Sequence, residues 1–247
     1  MKLRKEFMNT GSKTIGLMLA SDNCEGVRCY HHMVKACEDT WINNSEYKSN
    51  IYKVYGRGHN PSLASSIEVN KATLTNNNEI IVNTIESRAN LLRKTISAME
   101  FCLNTISDID YFFRPNCGSY INMSLFNEFL YDKPKVRYYS GINGMYNGIK
   151  YASGSCFIIS RDVAEFIVHN SSDLEDNGNI FMDDVSIGKF LLDNNIDLQN
   201  DAKRIDCKSK KDLADLFDIN CYHYYFQHTI DPELIYLCHR MFHSNIL

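Results

Sequence analysis

The sequence contains no Cys-x-x-Cys pair; its nine cysteines stand as singles from Cys24 to Cys238. Structural zinc sites depend on paired spacing, so no zinc centre is expected. Isolated thiols of this kind fit free, mostly buried cysteines in a reducing compartment. Long hydrophobic runs are missing as well. The apolar stretch Thr14–Ala20 falls far short of the ~20 residues that cross a bilayer and reads as a buried strand. The basic start, Met1 to Phe7, is not followed by the apolar core of a secretory signal. A cytoplasmic chain without a membrane span is therefore expected. There is no excess of positive charge: 26 Lys and Arg against 30 Asp and Glu leave a net charge of -4. That balance argues against nucleic acid as the main partner, and the short basic run Lys208–Lys211 reads as solvated surface. The chain also lacks a GxGxxG run, a Walker loop, a nucleophile elbow and an HExxH pair, so hydrolase and nucleotide-kinase chemistry loses support.

Hydrophobic residues make up 44% of the 247 positions, enough for a sizeable core. With no internal repeat and no linker, residues 1–247 are expected to form a single domain. Thr14–Ala20 reads as a central strand covered on both faces, Asn50–Tyr55, Glu79–Val82 and Asp110–Phe113 as further strands. Helical spacing runs through Gly26–Trp41 and through Asn90–Ile106. The polar segment Pro61–Asn78 reads as a loop with one short element, and Ser124 as the cap of a helix to Tyr131. Further on, Arg137–Tyr139 reads as a strand, Gly141–Gly148 as a turn or mobile loop, Cys156–Ile159 as a strand and Asp162–His169 as a helix. Asp184–Leu192 predicts a helix, Cys221–Phe226 a late strand and Pro232–Phe242 a terminal helix. Alternating strands and helices predict an α/β fold with a mostly parallel sheet. Ligands of such sheets bind beyond the carboxyl ends of the strands; Ser21–Asn23, Arg114–Ser119 and the Gly154 loop all fall at or near such ends and are expected to converge on one pocket.

Asp183 and Asp184 open a predicted helix, one as its cap and the next on its first turn. The helix dipole keeps a carboxylate ionised there, as a general base requires; an ordinary capping pair is the competing reading. Gly154, between Ser153 and Ser155, lets a ligand approach the backbone, or makes a plain turn. Arg114 to Ser119 follows a buried strand: Arg114 is suited to phosphate, Asn116 offers donors and acceptors, and Gly118 permits close approach. Arg88, Arg93 and Lys94 lie where cations oppose the helix dipole, which points to an anionic partner or to pairing with Glu86. His223 alternates with aromatics and is the candidate for a metal or a phosphate, against the reading of a core histidine.

Together these segments resemble GT-A fold, nucleotide-sugar-dependent glycosyltransferases of the β-1,3-galactosyltransferase and fringe-like class, including small soluble viral and bacterial relatives. Asn90, Leu91, Lys94 and Thr95 match an Asp-x-Tyr-x-Asn-Leu-x-x-Lys-Thr segment of that class. Tyr151 to Asp162 resembles its Tyr-x-x-Gly-x-Gly-Tyr-x-x-Ser segment, and Asp183-Asp-Val-x-x-Gly188 its Glu-Asp-Val-x-x-Gly. The resemblance implies a Rossmann-like mixed sheet, mostly parallel and flanked by helices. It also implies an inverting transfer from a nucleotide-diphosphate sugar, a UDP-sugar above all, to a hydroxyl of a glycan or glycoprotein acceptor. Asp184 inherits the role of base, and Asp22, past the first strand, is expected to contact the nucleoside.

One departure matters. Where the family carries an Asp-x-Asp that holds Mn2+ or Mg2+ on the donor diphosphate, this chain has Asn116, Cys117 and Gly118. Neutral ligands hold hard cations poorly. Weak metal dependence is expected, with Arg114, Lys94 and His223 as substitute holders of the diphosphate. Two rivals stand beside this reading: a non-catalytic sugar- or nucleotide-binding module on the same fold, and a Rossmann-like methyltransferase or other nucleotide enzyme. The latter would want a Gly-rich loop after the first strand, where only Gly26 is found.

Overall fold

The computed structural model describes residues 13–25, 28–176, 182–226 and 231–243. Met1–Phe7, Gly26, Val27 and Phe181 lie outside the described residues. The strands are β1 (Thr14–Leu19), β2 (Cys24–Glu25), β3 (Arg28–Cys29), β4 (Ile51–Tyr55), β5 (Ala72–Leu74) and β6 (Glu79–Val82). They continue with β7 (Tyr111–Pro115), β8 (Ser119–Ile121), β9 (Tyr139–Tyr146), β10 (Ile149–Ser160), β11 (Ile205–Cys207) and β12 (His223–Phe226). The α-helices are α1 (Tyr30–Cys37), α2 (Pro61–Ala64), α3 (Leu91–Thr105), α4 (Met123–Leu130) and α5 (Arg161–His169). After them come α6 (Ser171–Asp176), α7 (Asp183–Asp193), α8 (Lys210–Leu216) and α9 (Glu233–His243).

Among the described residues, seven strands form one sheet in the order β5-β6-β4-β1-β7-β10-β9. The four central strands are mutually parallel, while β5 and the β9–β10 hairpin add antiparallel pairs at the edges. The expected α/β architecture, a mixed and mostly parallel sheet flanked by helices, is what forms. A smaller sheet, β11-β12-β8, stands beside it.

Residue alternation explains why β1 is a continuous apolar run. Ile15, Leu17 and Leu19 enter a core with Ile96 and Met99 of α3 and Ile187 of α7. Met18 enters the opposite core with Val34 of α1, Phe126 of α4 and Ile235 of α9. Both faces of the strand are covered, so neither has a polar stripe.

Four local expectations are corrected. The first helix starts at Tyr30 and passes at Glu38–Ile42 into a π-helical turn, which buries both Trp41 and Ile42. Helix α4 is capped by Asn122, whose side chain accepts the Leu125 N–H at 3.2 Å, not by Ser124. The Pro61–Asn78 stretch holds two short elements, α2 and β5. The Gly141–Gly148 segment is mostly strand β9. A Cβ on Gly141 would lie 2.6 Å from that of Ala152, and one on Gly144 2.6 Å from the Tyr151 ring. These glycines make room for side chains of the adjoining strand. The turn itself is Asn147-Gly148, with φ of 48° and 79°, values that suit a tight hairpin.

Cys29, Cys37, Cys102, Cys117, Cys156, Cys207, Cys221 and Cys238 carry free thiols, all buried except the half-buried Cys29. Among the described residues no helix is long and apolar enough to cross a membrane.

Candidate active site at the strand ends

Strands β1, β6 and β7 run the same way, so the connections after them meet on one edge of the sheet. There they enclose a cavity of about 600 Å³. Ser21 and Asn23 line it after β1, Glu86 and Arg88 after β6, and Asn116 and Gly118 after β7. Strand β10 is antiparallel and pairs Cys156 with Pro115, so the residues just before Cys156 overhang the end of β7. The β9–β10 ladder loses its register between Ala152 and Phe157. The Ser153-Gly-Ser155 segment, expected as a loop before a strand, is thus a bulge within one twelve-residue strand, and it lines the cavity. Bulges of this type re-aim backbone groups next to sites.

Helix α7 packs on β10 and brings in the two acids. Neither is a cap: Met182 occupies that position without a side-chain bond, and both acids lie in the first turn. Asp183 is buried and accepts from Arg114 Nη2 at 2.5 Å and from Thr95 Oγ1 at 2.9 Å. Asp184 accepts the Gly154 N–H at 2.7 Å on Oδ2 and the Val185 N–H at 2.9 Å on Oδ1. Burial, and next the charge of Asp183, push the Asp184 carboxyl up to about 6, although Arg114 and the two N–H groups pull it down. The carboxyl is thus still ionised at neutral pH, as expected at the start of a helix, but desolvation makes it a stronger base than an exposed aspartate.

Gly154 is shared between the Asp184 carboxylate and the Arg114 guanidinium. Its N–H serves Asp184, and its C=O accepts from Arg114 Nη1. A Cβ there would lie 2.7 Å from Asp184 Oδ2 and 3.0 Å from Arg114 Nη1. Any side chain would displace one or both.

The cations separate clearly. Arg114 belongs to β7 rather than to the loop after it, is 3% exposed and lines the cavity. Lys94 also lines it. Its three N–H groups are all engaged, by Ala20 O at 2.8 Å and the Glu86 oxygens at 2.8 and 2.9 Å, and burial holds its ammonium below the usual lysine range. As a holder of diphosphate it has nothing left to donate. His223 does not line the cavity. It is buried with Nε2 3.1 Å from Ser119 Oγ, and burial followed by the Arg204 charge pushes it down to about 3. A neutral core imidazole cannot supply a cation. Asp22 turns aside to His59 Nδ1 at 2.5 Å, and its neighbours Ser21 and Asn23 face the cavity instead.

The residues at the expected metal position do not fit a hard divalent cation. Asn116 Oδ1 closes its own turn, accepting the Gly118 N–H at 2.9 Å with Ser119 Oγ at 3.3 Å. Burial pushes the Cys117 thiol up to about 11, and Gly118 has no side chain. Among the described residues no group of three or more His, Cys, Asp or Glu is placed to hold a metal.

Sequence reasoning missed Arg204, Tyr225 and the part played by Thr95. Arg204 Nη1 donates to Ser153 Oγ at 2.9 Å and Ser155 Oγ at 2.7 Å, bracing the bulge from behind. Its guanidinium lies 5.1 Å over the ring of Tyr225, which lines the cavity. Tyr225 shares the strand alternation that singled out His223, two residues nearer the strand end. Arg204 lies in an irregular stretch and gave no local signal.

Solved structures share this α/β fold, two glycosyltransferases among them. One is a glycosyltransferase involved in the glycosylation of the major capsid of PBCV-1, with a TM-score of 0.50 and 10% identity over 92% of this chain and 99% of the other. The second is the apo-form glycosyltransferase GlyE of Streptococcus pneumoniae TIGR4, with a TM-score of 0.50 and 11% identity; the match covers 92% of this chain and 60% of that one. No protein-family model and no curated protein sequence matches the chain.

Proposed function

We propose that the protein is an inverting glycosyltransferase that moves a sugar from a nucleotide-diphosphate donor, a UDP-sugar, to a hydroxyl of a glycan or glycoprotein acceptor. The observation that carries this reading is Asp184: a carboxylate held on the cavity wall by the Gly154 N–H, with its proton affinity raised to about 6. A base of that strength is ionised at neutral pH yet closer to an alcohol's needs than an ordinary aspartate. It takes the proton of the acceptor hydroxyl as that oxygen attacks the anomeric carbon. The bond from that carbon to the diphosphate breaks on the opposite face, which inverts the centre. The transition state has oxocarbenium character, as in glycoside hydrolysis.

Asp183 acts through others, as the buried partner that fixes Arg114 and Thr95. The cavity, about 600 Å³, is of a size that suits a nucleotide-linked sugar. The likeness to two glycosyltransferase structures supports the class of reaction, and the matched segments Asn90–Thr95 and Asp183–Gly188 support the donor type.

Asp184→Asn keeps the size and the bond from Gly154 but removes the base. Transfer should fall by at least about a hundredfold, while donor binding measured by calorimetry survives. Near-normal turnover by that variant would remove Asp184 from the mechanism. Donor binding without sugar release across a nucleotide-sugar panel would make the protein a binding module instead.

A further inference from the structure

The acids that would hold a divalent ion are absent, yet the leaving diphosphate of the proposed reaction carries negative charge that must be met. Of the three cations expected to stand in for the metal, Arg114, Lys94 and His223, the surroundings of two set them aside. Lys94 is saturated by Ala20 and Glu86. His223 is neutral and away from the cavity.

Arg114 differs from both. A guanidinium has five N–H groups. One goes to Gly154 O and one to Asp183 Oδ1, and Nε is buried without a partner. A buried polar group without a partner is costly and rare. Here it belongs to a charged side chain on the wall of the cavity, two residues from the position of the missing acids. The bonds to Asp183 and Gly154 fix the plane of the fork. Arg114 is therefore a preorganised cation on the cavity wall at the end of β7, with donors beyond those bound to Asp183 and Gly154.

We propose that Arg114 replaces the divalent metal: the donor diphosphate is bound by its guanidinium, and the protein binds and uses its donor without Mn2+ or Mg2+. This rests on the glycosyltransferase reading. It adds a mode of anion recognition that the chain's own departure from the Asp-x-Asp pattern requires. Bidentate contact between a guanidinium and phosphate oxygens is strong and oriented. It also stays in place at the moment of bond cleavage, when charge on the diphosphate is greatest.

The test is calorimetric titration of uridine diphosphate into the full chain, once in excess chelator and once in Mn2+. The expected result is an affinity that agrees within about twofold between the two conditions. Binding seen only with Mn2+ would overturn the metal-free site and leave the transferase reading intact. Failure of uridine diphosphate to bind under either condition would remove the transferase reading and this proposal with it. Arg114→Gln alone strands the Asp183 charge in the interior and can unfold the protein. The paired variant Arg114→Gln/Asp183→Asn avoids that. It should bind uridine diphosphate on the order of tenfold to a hundredfold more weakly while its affinity for uridine is unchanged. Equal losses for both ligands would mean a structural role and overturn the assignment.

Discussion

Asp184 takes its chemistry from two neighbours that pull in opposite directions. Burial and Asp183 raise its proton affinity, and Arg114 with the Gly154 and Val185 N–H groups lowers it, leaving the carboxyl at about 6. A base must be deprotonated to act, so kcat/KM should rise with pH through about 6 and level off above it. A pH–rate profile from about 4.5 to 8 checks this; a profile flat through that range would exclude Asp184 as the titrating base. The ascending limb should also shift to higher pH in the Arg114→Gln/Asp183→Asn protein only if loss of Arg114 outweighs loss of Asp183. Burial and Asp183 are the two larger causes, so a shift to lower pH is the expected direction. At this scale much was readable in advance. The acid pair, the small residues around Gly154 and the Arg114 region all carry chemistry-bearing residue types. The resemblance alone singled out Asp184; which of the two acids is paired with Arg114 and Thr95 and which faces Gly154 was not readable, because adjacent aspartates have the same local sequence.

Helix α7 and strand β10 form the element pair on which the site depends. Gly188 lies where a Cβ would overlap Tyr151 Cβ and sit 2.8 Å from its Cα. Helix and strand are thus in contact at backbone distance, one helical turn beyond the two acids. Gly188→Ala must push α7 off the strand. Overpacking of this kind costs about 1–3 kcal/mol, which for a chain of this size lowers Tm by roughly 2–4 °C per kcal/mol. Activity should fall more than stability alone accounts for, since Asp184 moves with the helix. Scanning calorimetry and a transfer assay on the same sample read both effects. The resemblance of Asp183–Gly188 to a family segment marks this glycine, and the packing states the reason it is there. The bulge in β10 had no such signal: Ser153-Gly-Ser155 reads equally as a turn, and only pairing with β7 and β9 makes it part of a strand.

For the molecule as a whole, the cavity is built from strand ends that are far apart in sequence and adjacent only because the central strands are parallel. A ligand that fills it binds the native state alone, so it should stabilise the whole chain. At a hundredfold excess over Kd, uridine diphosphate should add about 2.7 kcal/mol, roughly 5–10 °C in Tm for this length. S-adenosylmethionine should add nothing measurable. The reverse order in a thermal-shift assay would favour a Rossmann-like methyltransferase over glycosyl transfer. The convergence of Ser21–Asn23, the β7 end and the Gly154 segment follows from the strand order and was foreseeable once a parallel sheet was inferred. The Asp22–His59 contact, which takes Asp22 out of the cavity, was not.

The sequence by itself determined the elements whose pattern is local. The apolar run of β1, the amphipathic α3 and the acid-opened α7 all form within a few residues of their expected bounds. Hydrophobic periodicity is a property of neighbours along the chain, so it survives without knowledge of the fold. Only the tertiary structure decided the state of each charge. Arg114 meets Asp183 across 69 residues, Asp184 meets Gly154 across 30, and His223 meets Ser119 across 104. Desolvation and pairing energies are set by what surrounds a group in space. The sequence names the ionisable residues, and the fold decides which are desolvated, which are paired and which line the cavity.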